Sequence, residues 1–392
     1  MRTLVVGASL AGLRSVEALR RRDSSMQIVM VGDETQLPYD RPRLSKDLLL
    51  GLAEPDDLQL TTAARLDDLG VEARLGTAAA ALDLQAHTVT LDDGAVVGYE
   101  KLVVATGSAA TRLPSADREG VHVLRTLQDA IALRTAFTSC PRPRVAVIGG
   151  GVIGSEVASA ARQLGLDVTI IDVLPVLMQR VLGDVLGRRM ARLHRQHGVA
   201  LRLGASVAGL LGEDRVEGVV LADRTVVPAD IVVVGVGATP NVGWLKSSGL
   251  LLQDGVVCDE YLAAAPDVYA VGDVARWRHA RYQQLVRTEH WTGAVEHAEA
   301  VAATLTGTPT TIDSIPYVWT DQYGLKLQIA GRLQAEDEIV FLLDQADPLK
   351  WLGVAGSHGA QHAVVALSAP AAFIRHKQRM THGQPTWPPA HR

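Results

Sequence analysis

Cysteine is scarce in this chain of 392 residues, which contains only Cys140 and Cys258. The two lie far apart and form no C-x-x-C pair, so we expect free structural thiols. This pattern excludes an obvious redox disulfide, zinc site or iron–sulfur site. If the protein carries out redox chemistry, a bound organic cofactor must therefore perform it.

An excess of positive charge and long apolar segments are also missing. The formal net charge of −5 provides no overall basic field for nucleic acid or an anionic membrane. No apolar run approaches the ~18 residues that span a bilayer, and the N-terminus lacks the features of a signal peptide. With 47% hydrophobic and 21% charged residues, we expect a soluble, cytoplasmic globular protein of two or three domains.

A Gly-rich turn follows the first strand of the sequence. The apolar segment 2–6 leads into "GASLAG" (7–12), and a helical pattern follows. This order is the context of a dinucleotide-binding fingerprint, in which N–H groups at a helix N-terminus bind pyrophosphate. The next strand, 27–31, leads to Asp33, 21 residues after Gly12, where a carboxylate binds a ribose hydroxyl. The alternative is an ordinary strand–helix turn followed by a surface acid.

A second and more complete fingerprint occurs later in the chain. The strand "RVAVI" (144–148) precedes Gly149, Gly151 and Gly154, which complete G-x-G-x-x-G. The following strand, 167–172, ends in Asp172, 18 residues after the third glycine. Its carboxylate favours NADH over NADPH because it accepts hydrogen bonds from a free 2′-hydroxyl and repels a 2′-phosphate.

Three residues near the fingerprints leave alternatives open. Arg180 lies close enough to Asp172 to weaken the preference for NADH. Ser9 replaces the second glycine of the first fingerprint, which predicts a looser approach to phosphate. Glu156 either gains from the dipole at the start of its helix or points at the nicotinamide end of the nucleotide.

An internal repeat links the two fingerprints. Segments 99–114 and 228–243 share a polar start, four apolar residues, a glycine and a proline. Each follows its own Gly-rich loop, so the sequence predicts two similar nucleotide-binding units and two nucleotide cofactors. A third segment, 267–276, is predicted to be a strand that ends at Gly272 and Asp273. Asp273 either caps the helix predicted further on or binds a hydroxyl of an extended cofactor.

Together these motifs resemble the FAD-dependent, pyridine-nucleotide ferredoxin reductases of oxygenase systems, which have a glutathione-reductase-like architecture. The resemblance covers almost the whole chain. It is carried by "GASLAG", "GDETQLPYDRPRLSKDLL", "LVVATGS", "VIGGGVIGSEVA", "YAVGDVAR" and "PYVWTDQYGLKLQIAG". The chain departs from the family at Ser9, at Arg43, where proline is common, and at 368–370, where an Asn-x-Pro pattern is usual.

The resemblance implies an α/β fold with two Rossmann-like domains, the NAD domain being inserted in the FAD domain, and a C-terminal α+β domain. The implied boundaries are 1–110 and 237–310 for the FAD-binding domain, 111–236 for the NAD-binding domain and 311–392 for the C-terminal domain, which would cover the flavin and help to dock the partner.

The resemblance also implies a catalytic ion pair, Lys46 with Glu156, near the reactive nitrogen of the flavin. Glu156 would hold the lysine and steer the nicotinamide; the alternative is two separately solvated charges. All six tryptophans lie between 244 and 387, and two of them would wall the flavin. No metal is expected. The implied cofactor-binding residues are Gly7, Ser9, Leu10, Ala11, Gly12, Asp33, Glu34, Arg41, Lys46, Ala79, Ala105, Thr106, Gly107, Arg125, Gly149, Gly151, Val152, Ile153, Gly154, Glu156, Asp172, Gly237, Gly272, Asp273, Trp291 and Trp319.

The implied function is electron transfer from NADH through FAD to an iron–sulfur ferredoxin, with NADPH a less favoured donor. The ferredoxin would feed a haem monooxygenase or a ring-hydroxylating dioxygenase. Because ferredoxins are commonly acidic, we expect a local basic docking patch. Its candidates are Arg41, Arg43, Arg287, Arg375, Lys377 and Arg379. Flavin disulfide reductases are disfavoured because the "RPRLSK" segment holds no cysteine. The alternative is an FAD- and NADH-binding signalling or assembly protein similar to apoptosis-inducing factor.

Overall fold

The computed structural model describes residues 1–114, 117–139, 141–343, 347–383 and 387–388 of the chain. Cys140 lies outside these residues. Cys258 is a buried free thiol, as expected, and burial raises its pKa to about 12. A thiol with such a pKa is not a nucleophile at neutral pH.

The described residues form seven α-helices and 27 β-strands, here numbered in chain order. The helices are α1 (Leu10–Arg22), α2 (Ala63–Asp68), α3 (Leu127–Thr138), α4 (Val152–Gln163), α5 (Gln179–Gln196), α6 (Trp291–Leu305) and α7 (Pro370–His382). The strands are β1 (Arg2–Val6), β2 (Gln27–Gly32), β3 (Val71–Leu75), β4 (Ala79–Asp83), β5 (Thr88–Leu91), β6 (Val96–Gly98), β7 (Lys101–Val104), β8 (Ser108–Ala110), β9 (Val121–His122), β10 (Arg144–Ile148), β11 (Asp167–Asp172), β12 (Ala200–Leu203), β13 (Val207–Leu211), β14 (Gly218–Leu221), β15 (Val226–Pro228), β16 (Ile231–Val234), β17 (Ala238–Pro240), β18 (Val256–Cys258), β19 (Ala263–Ala265), β20 (Val268–Ala270), β21 (Ala275–His279), β22 (Gln284–Val286), β23 (Tyr317–Gln322), β24 (Leu325–Gly331), β25 (Glu338–Leu343), β26 (Trp351–Ser357) and β27 (Ala360–Leu367).

The chain divides into two compact units, each built from three segments. Unit 1 comprises Met1–Asp40, Asp56–Ala109 and Thr239–Pro316, and unit 2 comprises Arg41–Pro55, Ala110–Ala238 and Tyr317–Arg392. The boundaries of the three implied domains stay a prediction. No helix within the described ranges is long and apolar enough to cross a membrane.

Unit 1 is built on a six-stranded sheet in the order β19-β20-β7-β1-β2-β3, in which only the edge strand β19 is antiparallel to its neighbour. A parallel sheet buries both faces, so its central strands are largely apolar. Accordingly, Leu4, Val5, Leu102 and Val103 have no exposed surface. Two three-stranded sheets, β4-β5-β6 and β18-β21-β22, complete the unit.

Unit 2 contains a five-stranded parallel sheet in the order β12-β11-β10-β16-β9. Alternate residues of β10 join different cores because side chains of a strand alternate between the two faces. Val145 and Val147 pack in a core that includes residues of the helices α3, α4 and α5. Ala146 and Ile148 pack in a core shared with the antiparallel layer β13-β14-β15.

The C-terminal part of unit 2 is a five-stranded antiparallel sheet, β23-β24-β27-β26-β25, which carries the helix α7. Leu327, Ile329 and Trp351 of this sheet belong to the same buried core as the helix-covered face of the parallel sheet. Within unit 2, residues of β23 therefore lie next to α4, the helix that follows the second Gly-rich loop.

The predicted internal repeat is confirmed at the level of strand pairing. In unit 1, β1 pairs in parallel with β7, with Leu4 opposite Leu102. In unit 2, β10 pairs in parallel with β16, with Val145 opposite Ile231. Each Gly-rich loop therefore lies beside the carboxyl end of its repeated apolar strand, which is where open α/β sheets bind ligands.

Candidate functional site

The first Gly-rich loop of unit 1 is closed by two tight backbone contacts. Gly7 has φ of +121°, and a Cβ on it would lie 2.1 Å from the carbonyl oxygen of Ala105. A Cβ on Gly12 would lie 1.8 Å from the oxygen of Gly7. Ser9 precedes α1 with an extended backbone, and its hydroxyl makes no capping bond to the helix. The N–H groups at the N-terminus of α1 are the donors that a phosphate at this loop would use.

Acidic residues follow β2 in unit 1. Asp33 comes directly after the strand and is exposed, as a carboxylate that binds ribose requires. The neighbouring Glu34 accepts a hydrogen bond of 2.6 Å from the hydroxyl of Tyr39. These positions fit the adenosine end of a dinucleotide, since the first βα turn and the end of the second strand meet at one sheet edge.

The segment after β7 is held by residues from distant parts of unit 1. The Thr106 hydroxyl donates to the carbonyl of Asn241, and the Asn241 amide donates to the carbonyl of Thr106, both at 2.9 Å. The Ser108 hydroxyl donates to Asp273 at 3.2 Å. The helix that follows is α6, and its N-cap is His290. Asp273 therefore does not occupy the N-cap position of this helix, and its role toward the helix or a cofactor stays a prediction.

Trp291 and His297 of α6 support the same end of unit 1. The Trp291 indole N–H donates to the carboxylate of Asp40 at 3.1 Å, which fixes the plane of the ring. The Gly272 N–H donates to Nδ1 of His297 at 3.1 Å. Gly272 has φ of +71°, so His297 holds a left-handed turn directly before Asp273.

Buried histidines make the stability of unit 1 depend on pH. Burial lowers the pKa of His290 to about 4 and that of His297 to about 3, from an ordinary 6.5. The unfolded chain therefore binds more protons, so the stability present above pH 6.5 is lost as the pH falls toward the folded-state values. We expect each histidine to cost about 2 kcal/mol of unfolding free energy between pH 8 and pH 5. Urea unfolding of wild type and His297→Gln measures this, and an equal pH dependence in both would contradict it.

The second Gly-rich loop, in unit 2, repeats the geometry of the first. A Cβ on Gly149 would lie 2.2 Å from the oxygen of Gly235, and one on Gly154 would lie 1.9 Å from the oxygen of Gly149. Gly151, the N-cap of α4, behaves differently because no atom lies within 4 Å of its ideal Cβ. The open space at this helix N-terminus is what a pyrophosphate needs, so the loop fits a dinucleotide.

Asp172 ends β11 beside this loop. Its two carboxylate oxygens accept from the N–H of Gly150 at 2.6 Å and from the N–H of Leu174 at 2.8 Å. The carboxylate therefore shapes the loop, and each oxygen keeps a lone pair for a ribose hydroxyl. Arg180 is an exposed residue in the first turn of α5.

The charged pair implied for catalysis is present in unit 2. Lys46 Nζ lies 2.8 Å from Glu156 Oε1, with 15% of the lysine and 2% of the glutamate side chain exposed. The Ser45 hydroxyl donates to the other oxygen of Glu156, and the Thr320 hydroxyl donates to Oε1 at 2.6 Å. The alternative of two solvated charges is wrong. The dipole alternative also fails, because α4 begins at Val152 and Glu156 lies beyond its first turn.

A π-helical turn, Leu44–Leu48, supplies two of these partners. Lys46 Nζ also donates to the carbonyl of Pro42 at 2.9 Å, so the ammonium is fixed from two directions. Single π turns are rare and often occur at functional sites. Glu156 is therefore a buried anion with three donors, which is a costly arrangement unless the charges are paired.

The structure places the remaining implied residues as follows. The Arg41 guanidinium donates to the carbonyl of Arg125 at 2.7 Å in unit 2. Trp319 stacks on Tyr317 in β23, with ring centroids 5.7 Å apart. Leu10 and Ala11 begin α1, Ala79 begins β4, Gly107 follows β7, Val152 and Ile153 begin α4, and Gly237 precedes β17.

Two of the basic docking candidates are paired within their own units. Arg287 is only 14% exposed and forms ion pairs with Asp254 at 3.1 Å and Glu289 at 2.6 Å. Arg43 pairs with Asp47 at 2.7 Å. The charge of Arg287 is therefore largely buried and balanced by two carboxylates, and its role in docking stays a prediction.

Comparison with known proteins identifies the family. The family model described as pyridine nucleotide-disulphide oxidoreductase matches residues 1–298, and that of the reductase C-terminal domain matches 317–391. The chain belongs to the pyridine nucleotide-disulphide oxidoreductase family. The predicted family resemblance and α/β fold class are thereby confirmed.

Several members of this family are similar to the chain over most of its length. It is 39% identical to the anthranilate 1,2-dioxygenase system ferredoxin–NAD(+) reductase component of Burkholderia cepacia, covering 90% of this chain and 87% of the relative. It is 38% identical to rhodocoxin reductase of Rhodococcus erythropolis, covering 86% and 79%. The crystal structure of the covalent putidaredoxin reductase–putidaredoxin complex is similar with a TM-score of 0.92 and 32% identity, covering 97% and 93%.

Sequence reasoning missed several residues around Glu156. Ser45 and Thr320 lie within quoted motifs, but nothing local assigns them to a carboxylate 111 and 164 positions away. Gln322, Tyr323 and His194 also escaped attention. A signal existed for the first four, since all belong to two of the quoted family motifs, "GDETQLPYDRPRLSKDLL" and "PYVWTDQYGLKLQIAG".

Proposed function

We propose that this protein is the NADH-dependent, FAD-containing reductase that supplies electrons to an iron–sulfur ferredoxin of an oxygenase system. The observation that carries the proposal is the pair of matching glycine loops together with a buried Lys46–Glu156 ion pair. Two nucleotide sites are what a relay between a diffusible hydride donor and a bound flavin requires. The similar proteins support the same function, since one is a ferredoxin–NAD(+) reductase component of a dioxygenase system and another is rhodocoxin reductase.

Each unit would bind one nucleotide. In unit 1, the α1 N-terminus would bind the FAD pyrophosphate, while Asp33 would accept from a ribose hydroxyl and Asp273 from a hydroxyl of the linker. In unit 2, the α4 N-terminus and Asp172 would bind NADH. The chemistry supplied by bound FAD is acceptance of a hydride and its release as single electrons.

Lys46 and Glu156 would orient the reacting rings and would not need to exchange a proton. Glu156 keeps the ammonium of Lys46 in one position, because hydrogen bonds to Pro42 and Glu156 fix Nζ on two sides. A charge that is already fixed at a reacting centre accelerates a reaction, because the charged group need not move when the hydride is transferred. We therefore propose Lys46 as a charged contact to the rings and Glu156 as the group that steers the nicotinamide.

Anaerobic stopped-flow reduction by NADH, followed by turnover with a [2Fe–2S] ferredoxin and cytochrome c, tests the function. We expect fast bleaching of the flavin and cytochrome c reduction that depends on ferredoxin. Fast bleaching without transfer to any ferredoxin, together with a long-lived charge-transfer band and dimer formation, would instead favour the signalling alternative.

Asp172 is expected to select NADH. Replacing it as Asp172→Asn keeps an oxygen that accepts from the Gly150 N–H but removes the charge that repels a 2′-phosphate. We expect the ratio of kcat/KM for NADPH to that for NADH to rise about tenfold, which is about 1.4 kcal/mol. An unchanged ratio in steady-state kinetics would remove Asp172 as the selector.

The helix α7 carries the remaining exposed docking candidates. Arg375 and Arg379 are exposed and lie four residues apart on one helix face, whereas Lys377 packs on the Tyr317 ring at 4.4 Å. We expect the double substitution Arg375→Glu and Arg379→Glu to raise the KM for an acidic ferredoxin about tenfold at low salt.

Electron transfer to a small dye should be unchanged in this double variant, because a dye needs no docking patch. Arg188→Glu, which reverses an exposed arginine of α5, is the matched control and should leave both activities intact. A ferredoxin KM that is equal in the double variant and wild type would exclude the docking role of α7.

A further inference from the structure

A chain of buried polar groups in unit 2 ends at Glu156 and has no part in the mechanism described so far. His194 Nε2 lies 2.9 Å from Gln322 Oε1, and Gln322 Nε2 donates to Thr320 Oγ1 at 3.2 Å. Thr320 in turn donates to Glu156 at 2.6 Å. At the far end, the Tyr323 hydroxyl lies 2.8 Å from His194 Nδ1. Four successive hydrogen bonds thus join α5, β23 and α4.

Every member of the hydrogen-bond chain is buried except Tyr323, which is partly buried. His194 has no exposed surface, Thr320 has 1% and Gln322 has 2%. The backbone N–H of Tyr323 donates to Ser159 Oγ of α4 at 2.7 Å, and the Tyr323 ring stacks on His197 with centroids 3.8 Å apart. Buried polar groups are costly when unpaired, so a complete chain defines a single arrangement.

The donor-to-acceptor direction of this hydrogen-bond chain follows from the groups at its inner end, Glu156. Lys46 is a donor only, and the Ser45 hydroxyl also donates, so Glu156 is the acceptor of both. The Thr320 hydroxyl has one proton, which must go to the remaining lone pair of Glu156 Oε1. Its oxygen then accepts from the Gln322 amide.

The donor and acceptor roles at the outer end, His194 and Tyr323, follow from those at the inner end. With its amide N–H groups toward Thr320, Gln322 turns its oxygen to His194, whose Nε2 must carry the proton. Nδ1 is then the acceptor for the Tyr323 hydroxyl. Burial lowers the pKa of His194 to about 4 and raises that of Tyr323, so the imidazole is neutral and the phenol protonated at neutral pH. Every donor in this direction points toward Glu156.

We propose that Thr320, Gln322 and His194 are positioning residues that orient the Glu156 carboxylate toward Lys46 through this one-directional hydrogen-bond chain. The inference rests on the proposed function, since it assigns these residues to the hydride-transfer step. A glutamate has three side-chain torsions, and Lys46 and Ser45 both come from one short turn. The hydrogen-bond chain adds a donor from a different element, β23, and successive donors polarise one another toward the carboxylate.

Thr320→Val tests the proposal because it removes the last hydroxyl of the chain while keeping its volume. We expect the limiting rate of flavin reduction by NADH to fall about tenfold, since one hydrogen bond to a charged group is lost. The NADH dissociation constant should change less than about twofold. Thr320→Ser, which restores the hydroxyl, should return the rate to within about threefold of wild type.

An infrared measurement adds a readout that a purely structural role would not move. Subtracting the spectrum of Glu156→Gln isolates the carboxylate band of Glu156 in the flavoprotein. We expect this band to shift in Thr320→Val and Gln322→Leu, to shift least in Tyr323→Phe, and to return in Thr320→Ser. These band shifts decrease with distance from Glu156 along the hydrogen-bond chain. A loss of packing would not produce this order.

Ser357→Ala is the matched control, because Ser357 also donates to a buried carboxylate of unit 2, Asp337, at 3.1 Å. It should leave the rate and the band unchanged. A wild-type rate and band in Thr320→Val would overturn the proposal while leaving the proposed function intact. A wild type that NADH does not reduce would instead overturn the proposed function. If Thr320→Val does not fold, Gln322→Leu decides by the same criteria.

Discussion

Glu156→Gln is expected to slow reduction of the flavin by NADH about 100-fold, equivalent to about 2.7 kcal/mol of activation free energy. The amide has nearly the shape of the carboxylate, but it carries no charge to balance Lys46. It also presents an N–H pair where three donors converge from Lys46, Ser45 and Thr320. Removing one partner of a buried ion pair costs about 3–5 kcal/mol, and the 15% exposure of Lys46 reduces that effect.

Rapid mixing of the purified flavoprotein with NADH measures the effect, and bound FAD should remain stoichiometric. Asp337→Asn is the matched control. Asp337 is a carboxylate of unit 2 with 1% exposure that pairs with His362 at 2.7 Å, so its loss tests for general damage to the unit. Equal rates in Glu156→Gln and wild type would show that the ion pair is structural.

Local sequence patterns predicted the strands and glycine turns whose formation depends on neighbouring residues. The strands at 2–6, 27–31, 144–148 and 167–172 match β1, β2, β10 and β11 to within one residue. A strand, a tight glycine turn and a helix are set by neighbours in sequence, and the apolar run of a parallel strand is visible without any alignment. The repeat was visible for the same reason.

Local sequence patterns did not predict the buried contacts of the candidate site. Glu156 meets Ser45 and Thr320 across 111 and 164 residues, and such contacts leave no trace in local spacing. The same limit applies to Arg287, whose ion pair with Asp254 joins residues distant in sequence. The ion pair of Lys46 with Glu156 was expected only because a family resemblance placed the two together.

Glycine substitutions should separate the two nucleotides. Gly12→Val is expected to yield protein that purifies with little or no FAD, because its Cβ would lie 1.8 Å from the oxygen of Gly7 and displace α1 from the first loop. Gly154→Val makes the same collision with Gly149, at 1.9 Å, in the second loop. We expect that variant to keep FAD but to require at least about 100-fold more NADH for half-maximal reduction.

The absorbance spectrum of the purified proteins and stopped-flow titration with NADH measure the two effects. Gly151→Ala is the companion variant, since its Cβ enters open space. It should leave urea unfolding unchanged and still weaken NADH binding about tenfold, because the methyl group would occupy the proposed place of the pyrophosphate. The opposite pattern, loss of FAD in Gly154→Val and its retention in Gly12→Val, would exchange the assignments of the two loops. A loss of both nucleotides in Gly151→Ala would show that the loops do not bind independently.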